Sequence, residues 1–223
     1  MKVPFEVPVM TLRDATLFPH ELRPLYIFEP RYRQMLREVL EGNRLFSVAM
    51  QKPGVAREIP APVAGLGLIR VAFSHPDGTS HLILQGLARV ELQQTVRTKP
   101  YRVHRVRRLQ TPPCDELKVD ALVARMRELL AERMDLELPF PPHLHSGAIG
   151  QLNKEKKTAG LSPRDILKFL DSVTDPEQVA DLVSCAVLPG GAERQTILET
   201  LNVESRLQQL IQFLLAEQVK RKN

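Results

Sequence analysis

The chain reads as an α+β protein, a β-rich N-terminal part with one helix followed by a C-terminal α-helical bundle, and three observations predict this class. Up to about residue 109 the apolar residues alternate or form short β-branched runs. Beyond about residue 115 they recur at three- and four-residue steps, the spacing of one helix face. Between the two regions Thr111, Pro112, Pro113 and Cys114 change the character of the chain. The expected division is a β-rich subdomain over residues 1–111 and a helical subdomain over residues 115–223.

Residues 8–12 and 22–28 are short apolar runs bounded by prolines and polar turn residues, which predicts two strands. Pro30 suits the first turn of a helix, where its missing N–H costs nothing and its fixed φ is already helical. In that helix Met35, Leu36, Val39 and Leu40 share a face to be buried, Arg33, Arg37 and Glu41 face water, and Gly42 is placed to end it in a left-handed cap. Further strands are expected over residues 45–50, 65–73, 81–84, 87–96 and 101–109, separated by turns such as His75-Pro76-Asp77-Gly78.

In the second part Leu122, Met126, Leu129, Leu130 and Met134 predict an amphipathic helix that stops before Pro139, with residues 139–142 as a loop. Ser162-Pro163-Arg164-Asp165 and Asp175-Pro176-Glu177-Gln178 each combine a capping side chain, a first-turn proline and an early acid, so two helices are expected to start there. Pro189-Gly190-Gly191 breaks the chain, and Asn202 can cap a last helix carrying the stripe Leu207, Leu210, Ile211, Leu214 and Leu215. Four or five helices with short connections pack most simply as an antiparallel bundle.

Composition narrows the function. With 43% apolar and 26% charged residues among 223, the chain is of ordinary globular type. It contains no run of the roughly 18 to 20 apolar residues that a membrane span needs, nor an apolar signal core, so no membrane partner and a cytoplasmic location are expected. Cys114 lies near the linker and Cys185 on a predicted helix; neither belongs to a Cys-x-x-Cys pair, so ordinary thiols are expected instead of a disulfide framework or zinc ribbon. His143-Leu144-His145 has alternate spacing but no third ligand of the expected type nearby, and no metal site is assigned to it. Glu29, Glu38 and Glu41 lie on or just before the first helix, where carboxylates serve helix electrostatics and solvation.

The order Leu12, Arg13, Asp14, Phe18, Pro19, Pro24, Leu25, Ile27, Phe28, Glu29, Pro30, Arg31 and Tyr32 resembles the opening of the substrate-binding domain of the Lon protease family. The later part resembles the same family in its aspartate-proline helix start, its proline break and its arginine- and leucine-rich final helix. The resemblance implies a PUA-like β-barrel or twisted sheets ahead of the bundle, and a recognition module that holds unfolded or tagged polypeptide segments. Such a module serves as an adaptor, a holdase or a regulator of proteolysis, with polypeptide clients and a Lon-type protease as partners. No Gly-x-x-x-x-Gly-Lys-Ser/Thr motif is present, since Gly65-Leu66-Gly67 lacks the lysine and the following helix. Ser162 and Lys168 read as helix cap and helix surface, so no serine nucleophile, no enzyme activity and no cofactor are expected.

Two surfaces are candidates. A sheet with an accessible apolar face or edge can bind exposed segments by hydrophobic contact and strand addition, which points to Leu25, Tyr26, Phe28 and Phe18 with the loop over residues 15–21. The alternative partner is RNA. Arg97, Lys99, Arg102, Arg105, Arg107 and Arg108, with His104 among them, form a run without an acid, and the chain's net +5 leaves only about −1 for the remainder. That run has a single aromatic, Tyr101, so it lacks an interleaved stacking platform, and positive charge on an edge strand also discourages unwanted pairing. A monomer is expected, or a weak homodimer through the stripe over residues 207–215.

Overall fold

A computed structural model describes residues 3–55, 57–135, 169–170 and 172–222. The chain divides into two compact units, Met1–Gln110 and Thr111–Asn223.

The first unit contains β1 (Glu6–Leu12), β2 (Leu22–Ile27), α1 (Pro30–Glu41), β3 (Leu45–Met50), β4 (Val63–Ser74), β5 (Ser80–Arg97) and β6 (Arg102–Arg108). The strands run in the order β2-β5-β4-β3-β1-β6, and β6 returns to pair with β5. Five strands therefore close into a ring, and β2 is an added strand outside it, antiparallel to the first part of β5 from Leu22↔Gln85 to Ile27↔Ser80. Only β1 and β3 are parallel, in the register Val9↔Ser47.

Strand alternation sends side chains to two cores. Val7, Val9, Leu45, Ala49, Ala64, Leu66, Val90 and Val106 come from all five ring strands and fill the interior. The opposite set, including Met10, Phe46, Val48, Ile69, Leu82 and Leu84, packs with Tyr32, Met35, Leu36 and Val39 of α1. Pro30 stands in the first turn of α1 as its chemistry requires, and the helix buries Met35, Leu36 and Val39 of the predicted face while Leu40 is half-buried.

The end of α1 differs from expectation. Gly42 has φ −103°, and the left-handed residue is Arg44 at φ 61°. Arg44 holds that conformation with a backbone N–H to the Val39 carbonyl at 3.0 Å and a guanidinium Nε donating to the Ile69 carbonyl at 3.1 Å. Two hydrogen bonds thus offset the local cost of a side chain at positive φ.

The expected pair of strands over 81–84 and 87–96 is one 18-residue strand, β5. Gly86 does not break it, because the preceding loop docks there: the His20 N–H donates to the Gly86 carbonyl at 2.9 Å and the Gly86 N–H to the Glu21 carbonyl at 2.8 Å. A Cβ at Gly86 would stand 1.8 Å from the Phe18 carbonyl oxygen, so this glycine permits a close backbone approach.

The second unit contains α2 (Glu116–Asp135), α3 (Pro176–Val187), α4 (Gly191–Glu199) and α5 (Val203–Lys222). Asp175 caps α3, its Oδ1 accepting the Glu177 N–H at 3.0 Å, and Asn202 caps α5 by accepting the Ser205 N–H at 2.9 Å. Cys185 lies on α3 and Cys114 is exposed before α2, without a disulfide between them. Leu207, Leu210 and Leu214 are buried within the unit, whereas Ile211 is half-buried and Leu215 exposed, so the stripe serves mainly as core. Ion pairs tie the helices, Arg206 to Asp181 at 3.0 Å and to Glu177 at 3.5 Å, and Arg133 to Glu217 at 2.6 Å. The Met134 side chain, residues 139–142, His143, His145, Ser162 with its capping segment, and Lys168 lie outside the described residues.

Candidate functional site

Among the described residues β2 pairs on one side only, so its other edge offers unpaired backbone donors and acceptors. Beside that edge lies a surface that the barrel does not bury. Leu22, Tyr26, Phe28, Val71 and Phe73 are 61, 48, 59, 60 and 58% exposed. Register places them together. Tyr26 pairs with His81 and His81 with Phe73; in the next row Pro24 pairs with Ile83 and Ile83 with Val71.

The rings form a continuous band. Tyr26 lies 5.8 Å from Phe28 and 4.7 Å from His81, His81 lies 4.9 Å from His75, and His75 lies 5.1 Å from Phe73. His75 Nε2 and His81 Nδ1 share one hydrogen bond at 2.7 Å, which fixes both imidazoles across the hairpin. Tyr26 and Phe28 are stacked, and the other contacts are tilted or edge-on.

The sequence-predicted residues separate by strand parity. Tyr26 and Phe28 are on this surface, but Leu25 alternates inward and packs against the core beneath α1. Phe18 is a correction. It is fully buried, with Thr16 and Leu17 beside it, and it cannot meet a polypeptide at the surface. The loop over residues 15–21 inserts its apolar pair against the glycine-bearing strands, and the Glu21 carboxylate locks it by accepting the Phe18 N–H at 2.8 Å. Glu21 is in turn held by Arg23 at 2.8 Å.

The sequence alone does not mark Phe73, Val71, His75 and His81 as part of a site. Their period-two spacing, Val71-Phe73-His75, is a readable strand signal, yet a β-bulge between Ile69 and Val71 reverses which parity faces out. That reversal depends on pairing, so the chain alone conceals it.

The basic run does not assemble into a bare phosphate-binding stripe. Arg97 lies 3.7 Å from Glu38 and 4.5 Å from the Tyr101 ring, Arg105 lies 3.7 Å from Glu6, and Arg107 lies 2.9 Å from Glu91. Arg102 donates to the Glu58 carbonyl, while Lys99 and Arg108 are exposed. The Tyr101 hydroxyl, then Gln34 and Arg97, hold the Glu38 carboxyl below its usual range, and Arg107 does the same for Glu91. His104 is buried, and burial lowers its pKa. Tyr32 is pushed up to about 12 by burial; its hydroxyl donates to the Thr11 carbonyl and accepts the Thr11 N–H, both at 3.1 Å, so it latches α1 to β1. Among the described residues no group of three or more His, Cys, Asp and Glu side chains is placed to hold a metal ion. No described helix is long and apolar enough to cross a membrane.

The fold is shared with solved Lon protease N-terminal domains. The N-terminal domain of the Mycobacterium avium complex Lon protease superposes with a TM-score of 0.70 at 17% identity, covering 94% of this chain and 97% of that one. The Lon N-terminal domain protein from Xanthomonas campestris gives a TM-score of 0.57 at 20% identity, covering 93% and 98%. The family described as the ATP-dependent protease La (LON) substrate-binding domain matches residues 6–216, and the chain belongs to that family. The Lon protease of Desulfosudis oleivorans is 25% identical over 218 residues, which are 96% of this chain and 24% of that protein. That of Escherichia coli K12 is 24% identical over 218 residues, 95% of this chain and 25% of that protein. The chain thus spans about a quarter of the length of the curated relatives it matches. The expected α+β class and the resemblance seen in residues 12–32 are both confirmed.

Proposed function

We propose that this chain is a non-catalytic polypeptide-recognition module that holds exposed apolar segments of unfolded or partly folded proteins. The observation that carries this reading is the aromatic band of Tyr26, Phe28 and Phe73 alongside the unpaired edge of β2. A client segment adds as a further strand, its backbone satisfied by β2 and its apolar side chains covering the rings. Each 100 Å² of apolar surface removed from water contributes about 2.5 kcal/mol before ordering costs. No covalent step and no cofactor enter this function.

The family's substrate-binding designation supports protein segments as the ligand class. In this role the chain acts as an adaptor, a holdase or a regulator that shares clients with a Lon-type protease. Burial of Leu207, Leu210 and Leu214 supports a monomer, which sedimentation at rising concentration checks. The unbridged Cys114 and Cys185 support a cytoplasmic setting.

The test is fluorescence anisotropy of a labelled unfolded polypeptide against the native chain and a Tyr26→Ser/Phe28→Ser variant. Both residues are surface-exposed, so the variant keeps its fold to within about 1 kcal/mol. Affinity is expected to fall by about tenfold or more. Unchanged binding by a folded variant overturns the assignment of this surface. Salt-sensitive RNA binding without polypeptide binding overturns the function itself.

A further inference from the structure

A groove of about 520 Å³ opens between α1 and the turn joining β4 to β5. It lies on the other side of that hairpin from the aromatic band, because Ser74 and Ala72 alternate with the outward-facing Phe73 and Val71. Its volume falls within the usual range for small-molecule pockets.

The lining has a definite chemistry. Arg33 and Arg37 stand four residues apart on α1, so both guanidinium groups enter from one stripe of the helix. Among the described residues neither forms a salt bridge, and Asp77 in the turn bears on Arg33 only through its field. Like charges at this spacing repel, and an anion between them relieves that repulsion. On the opposite wall the Ser74 and Ser80 hydroxyls lie 3.2 Å apart. One donates to the other, which leaves a second O–H available as a donor. Leu36 and Leu40 supply an apolar floor.

Gly78 shapes the cationic corner. It has φ +79°, and a Cβ built on it would stand 1.7 Å from Arg33 Nη2. The guanidinium occupies the space that any other residue would fill, so the turn and the charge are matched.

We propose that this groove binds a small amphipathic oxyanion, a carboxylate or phosphate carried on a short apolar body. The planar guanidinium groups match the oxygens of either head group, and the serine hydroxyl adds a second kind of donor. The apolar body lies over Leu36 and Leu40. This site is independent of the polypeptide surface and survives the failure of that function.

The full chain is titrated calorimetrically with octanoate, octyl phosphate and 1-octanol. Saturable binding of at least one anion is expected, with octanol weaker by about tenfold or more. The tighter of the two anions identifies the head group. An Arg33→Gln/Arg37→Gln variant is expected to lose about tenfold or more in anion affinity, with its thermal melt and its polypeptide binding unchanged. Should that variant lose stability, Arg37→Glu alone reverses the charge at an exposed position and is expected to abolish binding. The proposal is overturned if neither anion saturates at millimolar concentration, if octanol binds as well as the anions, or if the folded arginine variants bind them undiminished.

Discussion

Phe18 and Tyr26 are both aromatic, eight positions apart, and fully opposite in environment. Truncating Phe18 to Ala removes a ring from a packed interior, with an expected loss of about 3–5 kcal/mol measured by urea unfolding. The folded fraction of Phe18→Ala is expected to bind polypeptide with native affinity, which separates it from Tyr26→Ser/Phe28→Ser. His104 gives a pH dependence. Burial lowers its folded pKa, whereas the unfolded chain takes up the proton near the ordinary value of about 6.5. Between those two values the unfolded state binds more protons, so stability rises with pH there. The contribution is full above about pH 6.5 and is lost as the pH falls through the folded value. Urea midpoints at about pH 7.5 and about pH 5.5 are expected to differ less in His104→Asn than in the native chain. The proline and capping residues were legible because their roles are local: Pro30, Asp175 and Asn202 act within one turn of helix. Phe18 was not, since an apolar loop residue looks the same in sequence whether it plugs a core or offers a surface.

Helix packing in the second unit centres on a buried pair, Arg206 with Asp181. Asp181→Ala leaves a guanidinium without its main counter-charge in the interior, and the expected cost is about 3–5 kcal/mol. Replacing both residues with apolar ones of similar volume is expected to recover much of that loss, a comparison that equilibrium unfolding makes directly. Asn202→Ala removes one cap from α5 and costs about 1 kcal/mol. The strands, α1, α2, α3 and α5 were readable from periodicity and caps, but α4, which begins at the expected Pro189-Gly190-Gly191 break, was not, and neither were two boundaries. β5 runs through Gly86 because a distant loop supplies hydrogen bonds at that point. The turn after α1 passes Gly42 and reverses at Arg44 because Ile69 offers a carbonyl to the arginine. Local propensity yields in both places to bonds made across the fold.

At the scale of the molecule, ring closure by β5–β6 pairing leaves β2 as the exposed edge. Residues 1–110, expressed alone, are expected to unfold in one cooperative transition, because both of their cores are built from their own strands and α1. Polypeptide binding by the full chain is expected to change little between low and near-physiological salt. The paired arginines predict it, since Glu6, Glu38 and Glu91 already neutralise part of the basic run. A steep salt dependence measured by anisotropy would count against apolar recognition. The class of the chain, its family and its helix starts follow from residues close together in sequence, because caps, prolines and periodicity act over a few positions. The location of the recognition surface does not. It arises where Tyr26, His81 and Phe73 meet across three strands, and a single bulge in β4 decides which side chains face out. The fate of the basic run is equally non-local, for Glu6 and Arg105 meet only through the register of β1 with β6. Register is a property of paired strands, set by cross-strand contacts and ring closure, so it becomes definite only when the whole barrel has formed.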